Sequence, residues 1–102
     1  MTLSKTQSSF YRRLYLAHLI ECGISSVPAI VNATGMPRRT AQDTLKALEE
    51  LEIRCEFRPT PGERHNSGSY AIVDWGPIDP AWVREHAERL RTALSYPAMS
   101  RA

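Results

Sequence analysis

The sequence predicts a mostly helical α+β domain, a three-helix bundle with one β-hairpin and an added C-terminal helix, and three stretches carry that expectation. In Ile30–Leu51 (IVNATGMPRRTAQDTLKALEEL) a short helical pattern breaks at Gly35-Met36-Pro37 and a second follows. There Ala41, Leu45 and Leu48 recur at i, i+4, i+7, which stacks three side chains on one helical stripe. Next, Ile53, Cys55 and Phe57 alternate with Arg54, Glu56 and Arg58, the period of a half-buried strand. Tyr70–Trp75 reads as a second strand beyond a stretch rich in turn formers. Finally, Asp79-Pro80 opens a stripe of Val83, Ala87, Leu90 and Leu94.

At 102 residues the chain fits one domain with a real core. Hydrophobic residues at 42% and charged residues at 24% are ordinary globular values, so neither a disordered chain nor a membrane protein is indicated. The most apolar run, Leu14–Ile20, contains His18 and is far shorter than the roughly 20 residues a span needs. Arg12-Arg13 ahead of it resembles a signal peptide only superficially, since no small-residue cleavage site follows. A cytoplasmic protein is expected. Two cysteines, Cys22 and Cys55, and three separated histidines offer no metal-ligand spacing and no disulfide framework, so neither metal nor cofactor is expected.

The net charge is +2, but its distribution is uneven. Residues 1–46 hold six basic side chains (Lys5, Arg12, Arg13, Arg38, Arg39, Lys46) against Glu21 and Asp43, whereas Glu49, Glu50, Glu52, Glu56 and Glu63 crowd the next part. That is a local basic footprint, not a polybasic tail.

In chain order, residues 1–7 are polar and expected to fray, with Ser8 or Ser9 capping a helix that runs to about Cys22 and stops at Gly23. Phe10, Tyr11, Leu14, Tyr15, Leu16, Ala17, Leu19 and Ile20 cover more than one ~100° stripe. One face belongs to the core, and the surplus either meets a second subunit, the reading slightly favoured, or is buried in a monomer as part of a deeply covered helix. Ile24-Ser25-Ser26 is an extended link that could add a strand to a small sheet. Ser26 caps the second helix, with Pro28 in its first turn. Gly35 supplies a left-handed turn, Met36 fills the space between helices, and Pro37 is expected at N1 of a third helix ending near Glu52. Residues 59–68 form the hairpin tip, Gly76-Pro77 closes the hairpin, and Pro97 ends the last helix.

This order, with the Ile30–Leu51 pattern carried by Ile30, Val31, Gly35, Met36, Thr40, Ala41, Leu45 and Leu48, resembles the winged helix-turn-helix superfamily. More narrowly, it resembles a group of short uncharacterised bacterial proteins of that fold. Val31 stands where a small Ala is usual, and Pro37 where Ser or Thr often caps the recognition helix. The resemblance implies a winged domain over residues 1–76, with 77–102 as a C-terminal helix and tail that could dimerise.

It also implies a double-stranded DNA partner, a recognition helix at about 37–52 in the major groove, and a wing at about 59–68 on the flanking backbone or minor groove. Carried onto this sequence, Arg38 and Arg39 could pair with guanine O6 and N7, Gln42 with adenine N6 and N7, and Thr40 with phosphate or base. Lys46 suits a phosphate, unless it pairs with Glu49 or Glu50. Asp43 opposes phosphate unless it orients Arg39. In the wing, Arg64 leads, followed by His65 and Asn66, with Arg58 on the strand leading in.

No grouped nucleophile, acid–base pair or glycine-rich phosphate loop points to an enzyme. Two classes remain. The first is a DNA-binding transcriptional regulator, a homodimer through helix one and/or the C-terminal helix. The second is a winged-helix module that binds or assembles with protein. The fate of Val83, Ala87, Leu90 and Leu94 bears on the dimer: if the chain's own core covers them, only helix one supports it.

Overall fold

The computed structural model describes residues 3–61 and 68–98. The elements run α1 (Lys5–Glu21), α2 (Val27–Thr34), α3 (Arg38–Ala47), a 3-10 turn (Leu48–Leu51), β1 (Arg54–Pro59), β2 (Gly68–Asp74) and α4 (Pro80–Ala93). This is the predicted mostly helical architecture with one antiparallel hairpin.

Helix α1 starts earlier than expected. Ser4 is its N-cap, and its hydroxyl accepts from the Gln7 backbone N–H at 3.0 Å while the Gln7 side-chain Oε1 accepts from the Ser4 backbone N–H at 3.1 Å. This reciprocal box satisfies two otherwise orphaned donors, so the polar run that reads as a frayed terminus is a helix start, and Ser8 and Ser9 lie inside the helix. At the other end the N–H groups of Gly23 and Ile24 donate back to the carbonyls of Ile20 and Leu19, closing the helix where expected.

Seven consecutive α1 residues, Leu14–Ile20, are buried, which only a helix covered on two sides can achieve. Leu16, Ala17 and Ile20 pack with Ile30, Met36, Ala41, Leu45, Leu48 and Ile53 in one core cluster. Leu14, Tyr15 and Leu19 pack with Val83 and Leu90 of α4 in another, and Leu94 lies against it. The apolar surplus of α1 and the stripe of α4 thus cover each other within one chain. The expectation that α4 frees its stripe for a second subunit loses its support, and so does most of the α1 argument. Tyr96, folded back beyond α4, completes the seal with its ring 5.8 Å from that of Tyr15.

Helix α2 is capped as predicted, the Ser26 hydroxyl accepting from the Ala29 N–H at 3.2 Å with Pro28 in the first turn. Gly35 takes φ 78°. The Thr34 hydroxyl donates to the Ile30 carbonyl and accepts from the Met36 N–H, which ties the turn to the helix before it. Pro37 stands one position earlier than expected, as the N-cap of α3 at ψ 148°, with no side-chain cap. Its ring locks φ but offers no acceptor, so the first amides of α3 stay uncapped.

In the hairpin Cys55 faces Ile72 and Phe57 faces Tyr70. Ile24–Ser26 forms no strand, yet the Tyr70 N–H donates to the Ser25 carbonyl at 2.7 Å, a single strand-like bond that holds β2 against the link. The alternation from Ile53 onward is real, but burial fades along it. Ile53 is fully buried, Cys55 half-buried, and Phe57 is 42% exposed, because the core ends before the hairpin does.

One polar knot joins the layers. Glu21, at the last turn of α1, accepts two hydrogen bonds from Arg84 of α4 at 2.8 and 2.9 Å and one from the Trp75 indole at 3.1 Å. Arg84, helped by Trp75, holds the Glu21 carboxyl below its ordinary value of 4.5. One turn back, His18 is buried with Nδ1 unpartnered and Nε2 3.6 Å from the Cys22 sulfur; burial pulls its pKa below 6.5. Both groups bind protons less readily folded than unfolded, so their contribution is present at neutral pH and is lost as pH falls. The loss begins below about 6.5 through His18 and resumes below about 4.5 through Glu21. Urea midpoints measured from pH 7 to pH 5 should therefore fall for the wild type. They should fall less for His18→Leu and at least as steeply for Glu21→Gln, because the Glu21 carboxylate is the neighbouring charge that favours protonated His18 and its removal lowers the folded His18 pKa further.

Candidate nucleic-acid interface

The α3 sequence divides cleanly between core and solvent. Ala41, Thr44 and Leu45 are buried, while Arg38, Arg39, Gln42, Asp43 and Lys46 are exposed. The buried stripe locks the helix against α1 and α2, so the polar face is held outward rather than chosen by flexible side chains. At the start of that face the uncapped amides and the positive end of the helix dipole favour an anion such as phosphate.

Two open grooves separate this face from the hairpin. One, of about 640 Å³, is lined by Arg39, Gln42, Lys46, Phe57 and Tyr70 among others. The other, of about 520 Å³, lies toward the start of α2 and is lined by Arg38, Gln42, Phe57, Gly68 and Tyr70 together with Ser26–Pro28. Gln42 borders both. On the opposite flank a smaller cleft of about 210 Å³ runs between α1 and α3, lined by Ser9, Arg12, Arg13, Thr40, Asp43, Thr44 and Ala47.

The predicted residues therefore fall into separate groups. Arg38, Arg39, Gln42 and Lys46 converge on the helix–hairpin side. Thr40 is half-buried on the other flank, beside Arg12 and Arg13. Arg58 is exposed on β1, but it follows Phe57, and strand alternation turns it to the face away from α3. Arg64, His65 and Asn66 lie outside the described residues.

Charge pairing is loose. Arg39 and Asp43 are 3.9 Å apart with side chains 90% and 67% exposed, a pair that water screens to little energy. Arg13 meets Glu50 at 3.8 Å. Among the described residues, no carboxylate lies within 4.0 Å of Arg12, Arg38, Lys46 or Arg58, so Lys46 does not spend its charge on Glu49 or Glu50.

Two contributions escaped the sequence reading. Arg12 and Arg13 stand beside α3, on the flank away from the hairpin, only because α1 crosses it, which no local pattern encodes; the excess of basic residues in 1–46 is their sole trace in the sequence. Phe57 and Tyr70 border the grooves because the core stops short of the hairpin tip.

A family model described as a winged helix-turn-helix matches residues 5–94. The chain is also similar to the crystal structure of a DUF2131 family protein from Shewanella amazonensis SB2B, with 40% sequence identity and a TM-score of 0.85 over 93% of this chain and 91% of that one. No curated protein matches the chain.

Proposed function

The chain belongs to the winged helix-turn-helix family, a DNA-binding fold in general, and on that premise we propose that it binds duplex DNA as a cytoplasmic transcriptional regulator, with α3 in the major groove. The observation that carries this reading is the exposed α3 face, where Arg38, Arg39, Gln42 and Lys46 border open grooves and, among the described residues, no element covers them. Arg38 and Arg39, in the first turn, have the forked donors that match guanine, and Gln42 one turn on matches adenine. Lys46 and, across α3, Arg12 and Arg13 would meet phosphates, as would the uncapped amides. Arg58, Arg64, His65 and Asn66 would serve the wing contact.

The acidic residues Glu49, Glu50 and Glu52 repel a phosphate backbone, so the base contacts belong to the first half of α3 and Lys46 is the last α3 side chain that would meet a phosphate. That acidic end also favours the second reading, a winged-helix module whose partner is a protein.

Anisotropy titration of a labelled random-sequence duplex pool across salt distinguishes them. Affinity should fall steeply as salt rises, because each neutralised phosphate releases counterions. Arg38→Ala and Arg39→Ala should each weaken binding to a selected duplex by between about fivefold and about 150-fold. Both side chains are exposed, so the fold should be unaffected. Binding indifferent to salt and to both substitutions would overturn the assignment in favour of a protein partner.

A further inference from the structure

An aromatic ring stands in the groove between the hairpin and α3, beyond the end of the core, where a polar side chain would serve the fold as well. Phe57 is 42% exposed, although its strand neighbours on the same face, Cys55 and Ile53, are progressively more buried. Its position is nonetheless fixed. The Tyr70 ring meets it edge-on, with centroids 5.1 Å apart and planes at 62°. A Cβ built at Gly68 would fall 2.7 Å from the Phe57 ring tip and 2.4 Å from the Arg58 carbonyl, so the ring lies over bare glycine backbone. A ring held from beside and below, with its remaining surface in solvent, gives up apolar burial that any polar residue at this position would not forfeit.

That remaining surface borders both grooves, and Gln42 borders both as well, with Arg38 at one and Arg39 and Lys46 at the other. The larger groove also carries Asp43 and Glu49, so the phosphate-favouring side is the Arg38 groove at the start of α3, and Gln42, which borders it, is the side chain suited to adenine. Along the major-groove edge of a duplex, the one apolar group that the base pairs offer is the thymine 5-methyl. Among the described residues lining these grooves Phe57 is the exposed large hydrophobic side chain, with the less exposed Tyr70 ring beside it.

We propose that Phe57 is a specificity-determining residue, contacting a thymine 5-methyl in the major groove next to the base read by Gln42, so that the preferred duplex carries A·T pairs at that place. This deepens the duplex binding proposed above and rests on it. The ring selects thymine by burying a methyl, and Gln42 selects adenine by paired hydrogen bonds. Two elements that are distant in sequence thereby read adjacent positions. Gly68 is a positioning residue, since a side chain there would push the ring out of the groove.

The test starts from a duplex selected from a random library with the full chain, then replaces each thymine in turn by uracil, which removes only the methyl. Wild-type affinity should fall about fourfold at one or two positions, the change expected for one methyl left unburied. Phe57→Ala should bind the thymine and uracil duplexes equally, and at those positions alone. Because the ring is exposed, the variant should keep the wild-type circular dichroism spectrum, and the uracil series on the wild-type protein needs no variant at all. Salt-dependent duplex binding that no uracil replacement weakens would overturn the role of Phe57 while leaving DNA binding intact. A uracil penalty undiminished in Phe57→Ala would do the same. Absence of salt-dependent duplex binding would overturn both.

Discussion

Leu90→Ala is expected to lower the stability of the monomer by about 2–5 kcal/mol, the range for removing a fully buried leucine and leaving a cavity. Leu90 has no exposed surface and packs with Leu14, Tyr15, Leu19 and Val83 between α1 and α4. A typical domain of this size is stable by only about 5–15 kcal/mol, so the loss would be a large fraction of the whole. It should appear as a lower urea midpoint with an unchanged slope and no dependence on protein concentration. If α4 were instead an arm reserved for a second subunit, the same substitution would weaken association and leave monomer unfolding where it was. A concentration-dependent midpoint that Leu90→Ala abolishes would therefore count against the packing of α4 on α1.

That contrast shows where sequence patterns stop. The stripe Val83, Ala87, Leu90 and Leu94 states that one face of α4 is apolar, and the run from Leu14 to Ile20 states that α1 is apolar nearly all round. Neither states what covers it. An apolar face looks the same whether its cover is a second subunit or a helix of the same chain, and here each face is the cover of the other. Local chemistry was more legible. Ser26 with Pro28, Gly35, and Asp79 with Pro80 each act within a few residues, and each capped or turned the chain where expected. The capping box of Ser4 and Gln7 was equally local, but the polar residues around it, with no apolar stripe to announce a helix, read as a loose terminus.

The candidate interface divides in the same way. The outward face of α3 follows from a single periodicity, which is enough to put Arg38, Arg39, Gln42 and Lys46 on the exposed side of the helix. Thr40 was not separable from them in the sequence, because its half-burial depends on where α1 passes. Arg12 and Arg13 depend on that same crossing. Phe57 was expected inside because alternation carries Ile53 and Cys55 inward, yet alternation fixes only which face a strand residue takes. How far the core extends beneath that face is set by the helices, and they end below Cys55.

Gly76→Ala should be more destabilising than its exposed position implies, by about 2–4 kcal/mol. Gly76 holds φ 59°, which already costs an alanine some strain, and the added Cβ would fall 2.2 Å from the Glu52 carbonyl oxygen and 2.9 Å from its carbon. Neither is a side chain that can swing aside. Glu52 itself sits at φ 62°, where the 3-10 turn hands over to β1, and Gly76 follows the end of β2. The two tight turns thus nest at the base of the hairpin and set its angle against α3. Gly35 provides the comparison, since it has a similar φ of 78° but nothing within 4 Å of the added carbon. Gly35→Ala should therefore cost only the backbone strain, on the order of 1 kcal/mol. Thermal unfolding of the two variants separates the terms: the melting temperature should fall by at least about 10 °C for Gly76→Ala and by clearly less for Gly35→Ala. Equal losses would mean that the hairpin base does not nest on Glu52. Because the groove that holds Phe57 opens between this hairpin and α3, any Gly76→Ala protein that still folds should also lose thymine-over-uracil discrimination.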